Sequence, residues 1–195
     1  MTVLFSNTRY TPDGGGWNLG TVTGYPCSGD VSSKFGATDM AEHAQGHNGT
    51  DIAAAHGTPI FAPCEMIITD VFSLAVQSTD PLFQQIKDLF GNSVWATIGD
   101  NWRMMFAHMA DPPVVTEGTM VDAGVLLGFV GSTGLSTGPH LHWVLGPIEN
   151  RFLARDNGNV EVLDYCATVP QDNTALTTAL QDAHAAIDRA MALVG

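Results

Sequence analysis

The hydrophobic positions between residues 31 and 145 fall in short runs separated by glycines and other turn residues. Each run has the length of a strand and contains β-branched or aromatic side chains, which are typical of β-structure. The clearest runs are residues 59–62, 66–72, 93–98 and 125–130. Because this region shows no long helical period, the pattern predicts a mainly β protein built around an antiparallel sheet.

One segment inside this region has a different period. Apolar residues stand at positions 82, 83, 86, 89 and 90, which is a helical spacing, and Pro81 occupies the first turn. The segment therefore predicts a short helix near residues 81–90, inserted between two strands. We expect it to pack on the sheet, and a second role in lining a cleft stays open because inserted connections often carry binding residues.

Both ends of the chain differ from the middle. Residues 1–30 are rich in Gly, Thr, Asn and Pro, which predicts an irregular arm with one short strand. After an N-cap at Asp172, apolar residues from Leu176 to Val194 recur every three or four positions, which predicts a helix over about 174–194. That helix could dock on the β core or associate with another chain. We thus expect an arm (1–30), one domain (31–148) and a C-terminal extension (149–195).

Composition narrows the possible partners. The 195 residues include 20 acidic and 7 basic side chains, for a formal net charge of −13. So few cations argue against binding to nucleic acid or to an anionic membrane, since both need positive charge to displace counterions. We also find no apolar run long enough to span a membrane and no secretory signal pattern. The odd number of cysteines (Cys27, Cys64 and Cys166) favours buried thiols over a disulfide framework.

Histidines carry the candidate chemistry. His47 and Asp51 stand four residues apart, and an imidazole and a carboxylate are both suitable zinc ligands. His140 and His142 form a His-x-His pair, which on a strand directs two imidazoles to one face. The glycine-rich lead-in allows the backbone to turn tightly into that strand. His108 lies in a further short apolar run and by itself indicates nothing specific.

Taken together, these motifs resemble the lysostaphin-type (LytM-like) zinc endopeptidases that cut peptidoglycan. The resemblance covers the middle of the chain, with the motifs in the order of that family. The matching segments are GDVSSKFG at 29–36, HNGTD at 47–51, GTPIFAP at 57–63, GNSV at 91–94, FAHM at 106–109 and VGSTGLSTGPHLH at 130–142. The resemblance implies the duplicated-hybrid-motif β fold of the family and hydrolysis of peptide cross-links.

The resemblance also implies roles for single residues. His47, Asp51 and His142 would bind one Zn²⁺ per chain, which leaves a fourth position open for water, as a catalytic site requires. His108 and His140 would flank that water and the substrate carbonyl, one as base and one as oxyanion stabiliser. Which histidine has which role stays open. The chain has no H-E-x-x-H motif, so a histidine takes the place of the usual carboxylate base.

The chain departs from the family pattern at a few places. Phe106 and Met109 stand where family members often have Tyr and Leu, and the 81–90 segment is longer than the usual connection. We do not expect His43 to be a ligand, because the open-site ligand set is already complete, and we expect His56 and His184 at the surface. Cys27 could approach the metal from the N-terminal arm, but we expect it not to.

These observations lead to one main functional hypothesis and one alternative. We predict an active peptidoglycan endopeptidase, associated with a bacteriophage virion (as a tail protein) or with host lysis. It would be made in the host cytoplasm or carried in the virion, would act on the cell wall, and could attach to a tail or self-associate through the C-terminal helix. The alternative is a structural or regulatory module that keeps the fold and zinc but does not cleave. A lipoyl-like carrier is excluded, since neither Lys34 nor Lys87 lies at a hairpin tip between paired apolar strands.

Overall fold

The structure is a computed structural model that describes residues 3–5, 25–38, 46–99, 102–149 and 158–168. These residues form eleven strands, one α-helix and one 3-10 helix. The elements are β1 (Val3–Phe5), β2 (Asp30–Ser33), β3 (Thr50–Ala53), β4 (Pro59–Phe61), β5 (Met66–Phe72), α1 (Pro81–Phe90), β6 (Asn92–Ile98), β7 (Trp102–Met109), β8 (Met120–Val121), β9 (Leu126–Phe129), β10 (His140–Pro147), the 3-10 helix (Val162–Tyr165) and β11 (Cys166–Thr168).

A seven-stranded sheet forms the centre of the fold. Its strand order is β2-β3-β10-β7-β6-β5-β8, and every neighbouring pair is antiparallel. Two smaller antiparallel pairs, β4 with β9 and β1 with β11, complete the strands. The prediction of a mainly β fold with an antiparallel core is confirmed. β1 lies in the predicted N-terminal arm, whereas the predicted helix at 174–194 lies outside the described residues.

The two faces of the sheet carry different cores because side chains alternate along each strand. On β10, Leu141, Trp143 and Leu145 face the larger core, which also contains residues of β4 and β9. Val144 faces the opposite side, where a smaller core lies under α1. His140 and His142 have the same parity as Val144, so the pattern places both imidazoles on the helix-covered face.

Helix α1 begins and ends where the sequence predicts. Asp80 is its N-cap, with a side-chain oxygen that accepts a hydrogen bond from the Leu82 backbone N–H at 2.9 Å. The helix ends at Gly91, whose φ of +65° disfavours other residues. Ile86 is buried, and Leu82, Phe83 and Phe90 pack beside it on the sheet. The predicted helix at 81–90 and its packing role are therefore confirmed.

Lys87 is an unexpected buried residue of this helix. Its side chain is only 4% exposed, and its ammonium group donates hydrogen bonds to the carbonyl oxygens of Leu74 and Val76. The same group lies 5.5 Å from the centre of the Phe83 ring. Lys87 thus holds the loop before α1 against the helix.

The cysteines and the membrane prediction can also be assessed within the described residues. Cys27 and Cys64 are buried free thiols in the larger core, as expected, and burial raises the pKa of each to about 12. No helix in the described part of the chain is both long and apolar enough to cross a membrane.

Candidate active site

The candidate active site lies where β3 and β10 pair. Asp51 on β3 and His142 on β10 stand directly opposite each other, so their side chains share one face of the sheet. His140 is two residues before His142 and shares that face. His47 approaches from the loop before β3. The structure therefore brings together a histidine and an aspartate that are far apart in sequence.

Three ligand-type atoms converge at this point. His47 Nε2 lies 3.0 Å from His142 Nδ1 and 3.2 Å from Asp51 Oδ1, and His142 Nδ1 lies 2.8 Å from Asp51 Oδ1. All three side chains are buried. Four ligands around Zn²⁺, with bonds of about 2.0–2.1 Å, are separated by roughly 3.3 Å from one another. The spacing therefore fits a small cation with one further ligand position.

The ring of His47 is oriented to offer a lone pair to this point. Its Nδ1 lies 3.3 Å from the Lys34 carbonyl oxygen and donates a hydrogen bond to it, so the proton of the neutral ring stays on Nδ1 and Nε2 keeps its lone pair. Gly49 lets the loop pass close to β10, because a Cβ there would lie 2.7 Å from the Trp143 carbonyl oxygen and 3.0 Å from His142 Cε1. The glycine of the HNGTD motif thus has a steric role beside the candidate ligands.

The protonation states of these residues also suit a cation. Burial alone raises the pKa of the Asp51 carboxyl, but the close contacts with the imidazoles of His142 and His47 more than offset it and hold that pKa well below its usual range. Burial also lowers the pKa of His142. The site thus holds a charged carboxylate and a neutral imidazole, which are the forms that bind a metal ion.

His108 lies at the end of β7, beside this group. It is the one described non-glycine residue with positive φ, at +61°, a conformation that costs free energy and recurs at functional sites. Its Nδ1 donates a hydrogen bond to the Thr133 carbonyl oxygen at 2.8 Å, so Nε2 keeps a lone pair. Burial, followed by the charges of His142 and His140, lowers the pKa of His108 to about 3. The ring is therefore a neutral proton acceptor.

His140 faces His108 across the site, with their ring centres 4.7 Å apart. Its Nδ1 donates to the Gly138 carbonyl oxygen at 2.8 Å. That Nε2 lies 3.7 Å from Asp51 Oδ1. The Ser136 hydroxyl lies close to the same ring and bonds to Gly138. All five residues singled out from the sequence therefore meet in one place.

These residues form one wall of an open cleft with a volume of about 240 Å³. Helix α1 contributes Leu89 and Phe90 to the cleft, which is the second role that the sequence left open for this helix. The Phe90 ring stacks on His142, with centres 6.0 Å apart and planes 17° apart. Leu135 forms part of the opposite rim.

Sequence reasoning missed several groups that shape the site. The carbonyl oxygens of Lys34, Thr133 and Gly138 orient the histidine rings, but backbone acceptors give no signal in residue types. Phe90 was placed on the helix but not against His142, since spacing alone does not show which strand a helix covers.

Other expectations about single residues have clear outcomes. His56 is exposed, as predicted, whereas His43 and His184 lie outside the described residues. Cys27 lies in the larger core and does not belong to the metal-type cluster. Phe106 is fully buried on the far face of the sheet and stacks on Trp143, so the phenol that relatives often carry there would not face the cleft.

Comparison with known families decides the class of the protein. The model of peptidase family M23 matches residues 45–152, which is more than half of the chain. The chain belongs to peptidase family M23. This membership confirms the expected lysostaphin-type family, the metalloendopeptidase class of the domain and Zn²⁺ as its cofactor, for which the His47–Asp51–His142 cluster is the candidate site.

Curated relatives share about half of this chain. Over 97 residues, or 50% of the chain, it is 37% identical to the DD-carboxypeptidase/endopeptidase Mpg of Neisseria meningitidis serogroup B, of which it covers 19%. Over 99 residues, or 51% of the chain, it is 29% identical to the peptidoglycan DD-endopeptidase ShyA of Vibrio cholerae, of which it covers 20%. The chain thus spans about a fifth of the length of these relatives.

Solved structures agree on the fold. The catalytic domain of lysostaphin from Staphylococcus simulans superposes with a TM-score of 0.56 at 24% identity, covering 70% of this chain and 90% of that one. The catalytic domain of the prophage-encoded M23 protein EnpA from Enterococcus faecalis gives a TM-score of 0.51 at 28% identity, with 71% and 90% covered. The lysostaphin-like fold predicted from the sequence is therefore confirmed.

Proposed function

We propose that this chain is a zinc-dependent endopeptidase that hydrolyses peptide cross-links of bacterial peptidoglycan. The observation that carries the proposal is the convergence of His47, Asp51 and His142 next to two further histidines in an open cleft. The relative Mpg is named a DD-carboxypeptidase/endopeptidase and ShyA a peptidoglycan DD-endopeptidase, which supports this substrate class.

In this proposal the five residues have separate roles. The metal would be held by His47 Nε2, Asp51 Oδ1 and His142 Nδ1. A bound zinc ion lowers the pKa of its water towards about 7 and polarises the scissile carbonyl. His108 accepts the proton of the attacking water at Nε2 and returns it to the leaving amine, because burial keeps its ring neutral. His140, next to the His108 ring and with a proton on Nε2, donates a hydrogen bond to the oxyanion that forms on the carbonyl oxygen.

Metal analysis tests the ligand assignment. The wild-type protein should contain about one zinc per chain, and His47→Ala or Asp51→Asn should lose most of it, since each removes one of three protein ligands. His56→Ala is the matched control, because His56 is an exposed histidine nearby in sequence and should retain its zinc. Full zinc content in both ligand variants would refute the assignment.

Digestion of purified sacculi tests the activity. The wild-type protein should release new amine termini, and mass spectrometry of the products should identify the bond that is cut. His108→Ala should reduce the rate by about 10² to 10⁴ while keeping its zinc, because a general base contributes that much. If the zinc-loaded wild-type protein cleaves no type of cross-link, the non-cleaving structural module becomes the better description.

The alternative, a module that keeps zinc without cleaving, finds no support at His108. A scaffold would have no use for an imidazole held at positive φ and aimed into the cleft by the Thr133 carbonyl. Retention of this strained residue beside the metal cluster favours the active enzyme.

The predicted role in a bacteriophage is a more specific proposal than the enzymatic activity. One structural relative, EnpA, is described as prophage-encoded, which supports the proposal that this chain also comes from a phage. The predicted attachment segment at 174–194 lies outside the described residues, so the tail and self-association hypotheses rest on its heptad-like pattern alone. Light scattering on the full chain tests self-association, with a dimer mass expected and a monomer mass contradicting it.

A further inference from the structure

A second cavity lies beside helix α1, outside the candidate active site. We call it the α1 cavity, and its volume is about 240 Å³. Three charged side chains, Arg103, Asp70 and Asp80, and three aromatic ones, Phe72, Phe83 and Trp95, line it. None of these six residues belongs to the metal-type cluster or to the cleft above it. The cavity exists because α1 stands over β5, β6 and β7.

Two residues that line this cavity have buried donors without a hydrogen-bond partner among the described residues. The guanidinium carbon of Arg103 lies 5.6 Å from the centre of the Trp95 ring, and its Nε is buried without a hydrogen-bond acceptor in the described part of the chain. The Trp95 indole Nε1 is likewise unpaired within the described ranges, although Trp95 is only 2% exposed. Native proteins rarely leave such donors unpaired, so a ligand with acceptor atoms that reaches them would form hydrogen bonds that the protein alone does not supply.

The charges of the cavity restrict what that ligand can be. A guanidinium group binds a carboxylate with two parallel hydrogen bonds, and stacking on an indole keeps Arg103 in place for this. Asp70 and Asp80 contribute two negative charges against one positive charge, so a simple anion meets net repulsion. A group that carries both a carboxylate and an ammonium satisfies both signs at once.

The aromatic side chains suit the apolar part of such a group. Phe72 packs against Phe83 with ring centres 5.1 Å apart and against Trp95 at 5.4 Å. Together they form a rigid apolar wall against which a short methylene chain can pack. The cavity thus combines the three recognition elements of an amino acid.

The α1 cavity and the candidate active site share one face of the sheet. Asp70 pairs with Trp95, Trp95 with Met105, and Met105 with Val144, which is two residues from His142. These three steps from strand to strand place β10, the strand of His142, about 14 Å from β5, the strand of Asp70. The length of helix α1 gives a similar distance between the two sites. Asp80 caps the end of the helix at the α1 cavity, and Phe90 lines the active-site cleft at the other end, about 15 Å away. Four or five extended residues cover that distance.

We propose that the α1 cavity binds a zwitterionic amino-acid group, with the carboxylate on Arg103 and the ammonium between Asp70 and Asp80. One part of this proposal rests on the proposed function: the group then belongs to the peptidoglycan peptide, at a point about 15 Å from the scissile bond. The cavity would anchor the substrate at a distance from the metal.

Calorimetric titration tests binding directly and does not depend on catalysis. The probes are meso-diaminopimelate, which carries carboxylates and ammonium groups, pimelate, which carries only carboxylates, and cadaverine, which carries only ammonium groups. The wild-type protein should bind meso-diaminopimelate, and each of the other two at least about tenfold more weakly. Equal binding of pimelate would overturn the zwitterion assignment.

Variants locate the binding. Arg103→Met should weaken binding of meso-diaminopimelate by about tenfold or more, and Asp70→Asn should weaken it several-fold. Asp88→Asn is the matched control, because Asp88 is an exposed acid of the same helix and lines neither cavity. Arg103→Met keeps the metal site, so unchanged affinity in it would place binding at the metal and overturn the proposal.

A spectroscopic readout covers the case in which Arg103→Met does not fold. The indole N–H signal of Trp95, assigned in an NMR spectrum by its loss in Trp95→Phe, should shift when meso-diaminopimelate is added to the wild-type protein. A Trp95 signal that stays in place while the probe binds would overturn the proposal.

A kinetic experiment tests the link to the substrate. With a soluble cross-linked muropeptide dimer, Arg103→Met should raise KM about fivefold or more and leave kcat within about twofold, since the lost contact is remote from the reacting bond. An unchanged KM would overturn the substrate assignment. If the wild-type protein does not cleave the dimer, the proposed function fails, and the calorimetric result still decides the α1 cavity.

Discussion

Gly91 joins helix α1 to β6, and replacing it with alanine should disturb His108, the proposed proton acceptor, from a distance. A Cβ at this position would lie 2.2 Å from Thr133 Oγ1 and 2.6 Å from the Thr133 carbonyl oxygen. That carbonyl oxygen accepts the hydrogen bond from His108 Nδ1. Gly91→Ala must therefore displace the group that orients the proposed proton acceptor.

The expected magnitude has two parts. The backbone of Gly91, at φ +65° and ψ −141°, lies in a region that is nearly restricted to glycine, and strain there costs about 1–3 kcal/mol. The contact with the Thr133 backbone adds an overpacking cost of about 1–3 kcal/mol. Gly91→Ala should thus lower the free energy of unfolding by about 2–6 kcal/mol. It should also lower the hydrolysis rate of the folded fraction, because His108 loses its fixed orientation.

The control variant Gly118→Ala separates the cost of backbone strain from the cost of steric contact with Thr133. Gly118 also has positive φ, at +79°, but a Cβ there would meet no atom within 4 Å. Urea unfolding of both variants gives the stabilities, and sacculus digestion gives the rate per folded molecule. Equal stability losses in the two variants, together with a normal rate in Gly91→Ala, would refute the coupling through Thr133.

Three further predictions follow from the buried groups and the metal site. Lys87→Met should lower the free energy of unfolding by about 1–3 kcal/mol, because the carbonyl oxygens of Leu74 and Val76 lose a charged donor; urea unfolding measures this, and a gain in stability would contradict it. The pKa of His108 is about 3 in the folded protein, below its ordinary 6.5. Between pH 3 and pH 6.5, His108 is therefore protonated in the unfolded chain but neutral in the folded protein. Stability of the chelated protein should therefore fall as the pH drops below about 6.5, with about 2 kcal/mol lost by pH 5, and His108→Gln should flatten that part of the curve. Treatment with a chelator should abolish hydrolysis, zinc should restore it, and zinc at about a thousandfold above its Kd should raise the stability by about 4 kcal/mol; thermal unfolding with and without zinc checks the last point.

Much of the fold follows from local pattern in the sequence. Helix α1 was predictable because Pro81 and the apolar spacing act within a single element. The strands were predictable as short apolar runs between glycines. The order of the strands was not, since pairing of β3 with β10 depends on contacts between residues far apart in sequence.

The candidate site also has parts that the local sequence predicts and parts that depend on contacts between distant residues. His140 and His142 share a strand face by simple alternation, and His47 and Asp51 stand close in sequence. The resemblance to a known family was needed to connect these pairs with His108. The α1 cavity had no such signal, because Arg103 and Asp70 meet only after three strands pair and a helix covers them.

The pairing of β3 with β10 has a consequence for the synthesis of the protein. Asp51 and His142 are register partners, although 91 positions separate them in the chain. A ribosome-bound chain that ends before β10 carries two of the three candidate ligands but has no partner strand for them. Coordination by all three candidate ligands therefore requires that β10 has left the ribosome and inserted between β3 and β7. In the proposed function, peptidase activity would begin only once this strand is in place.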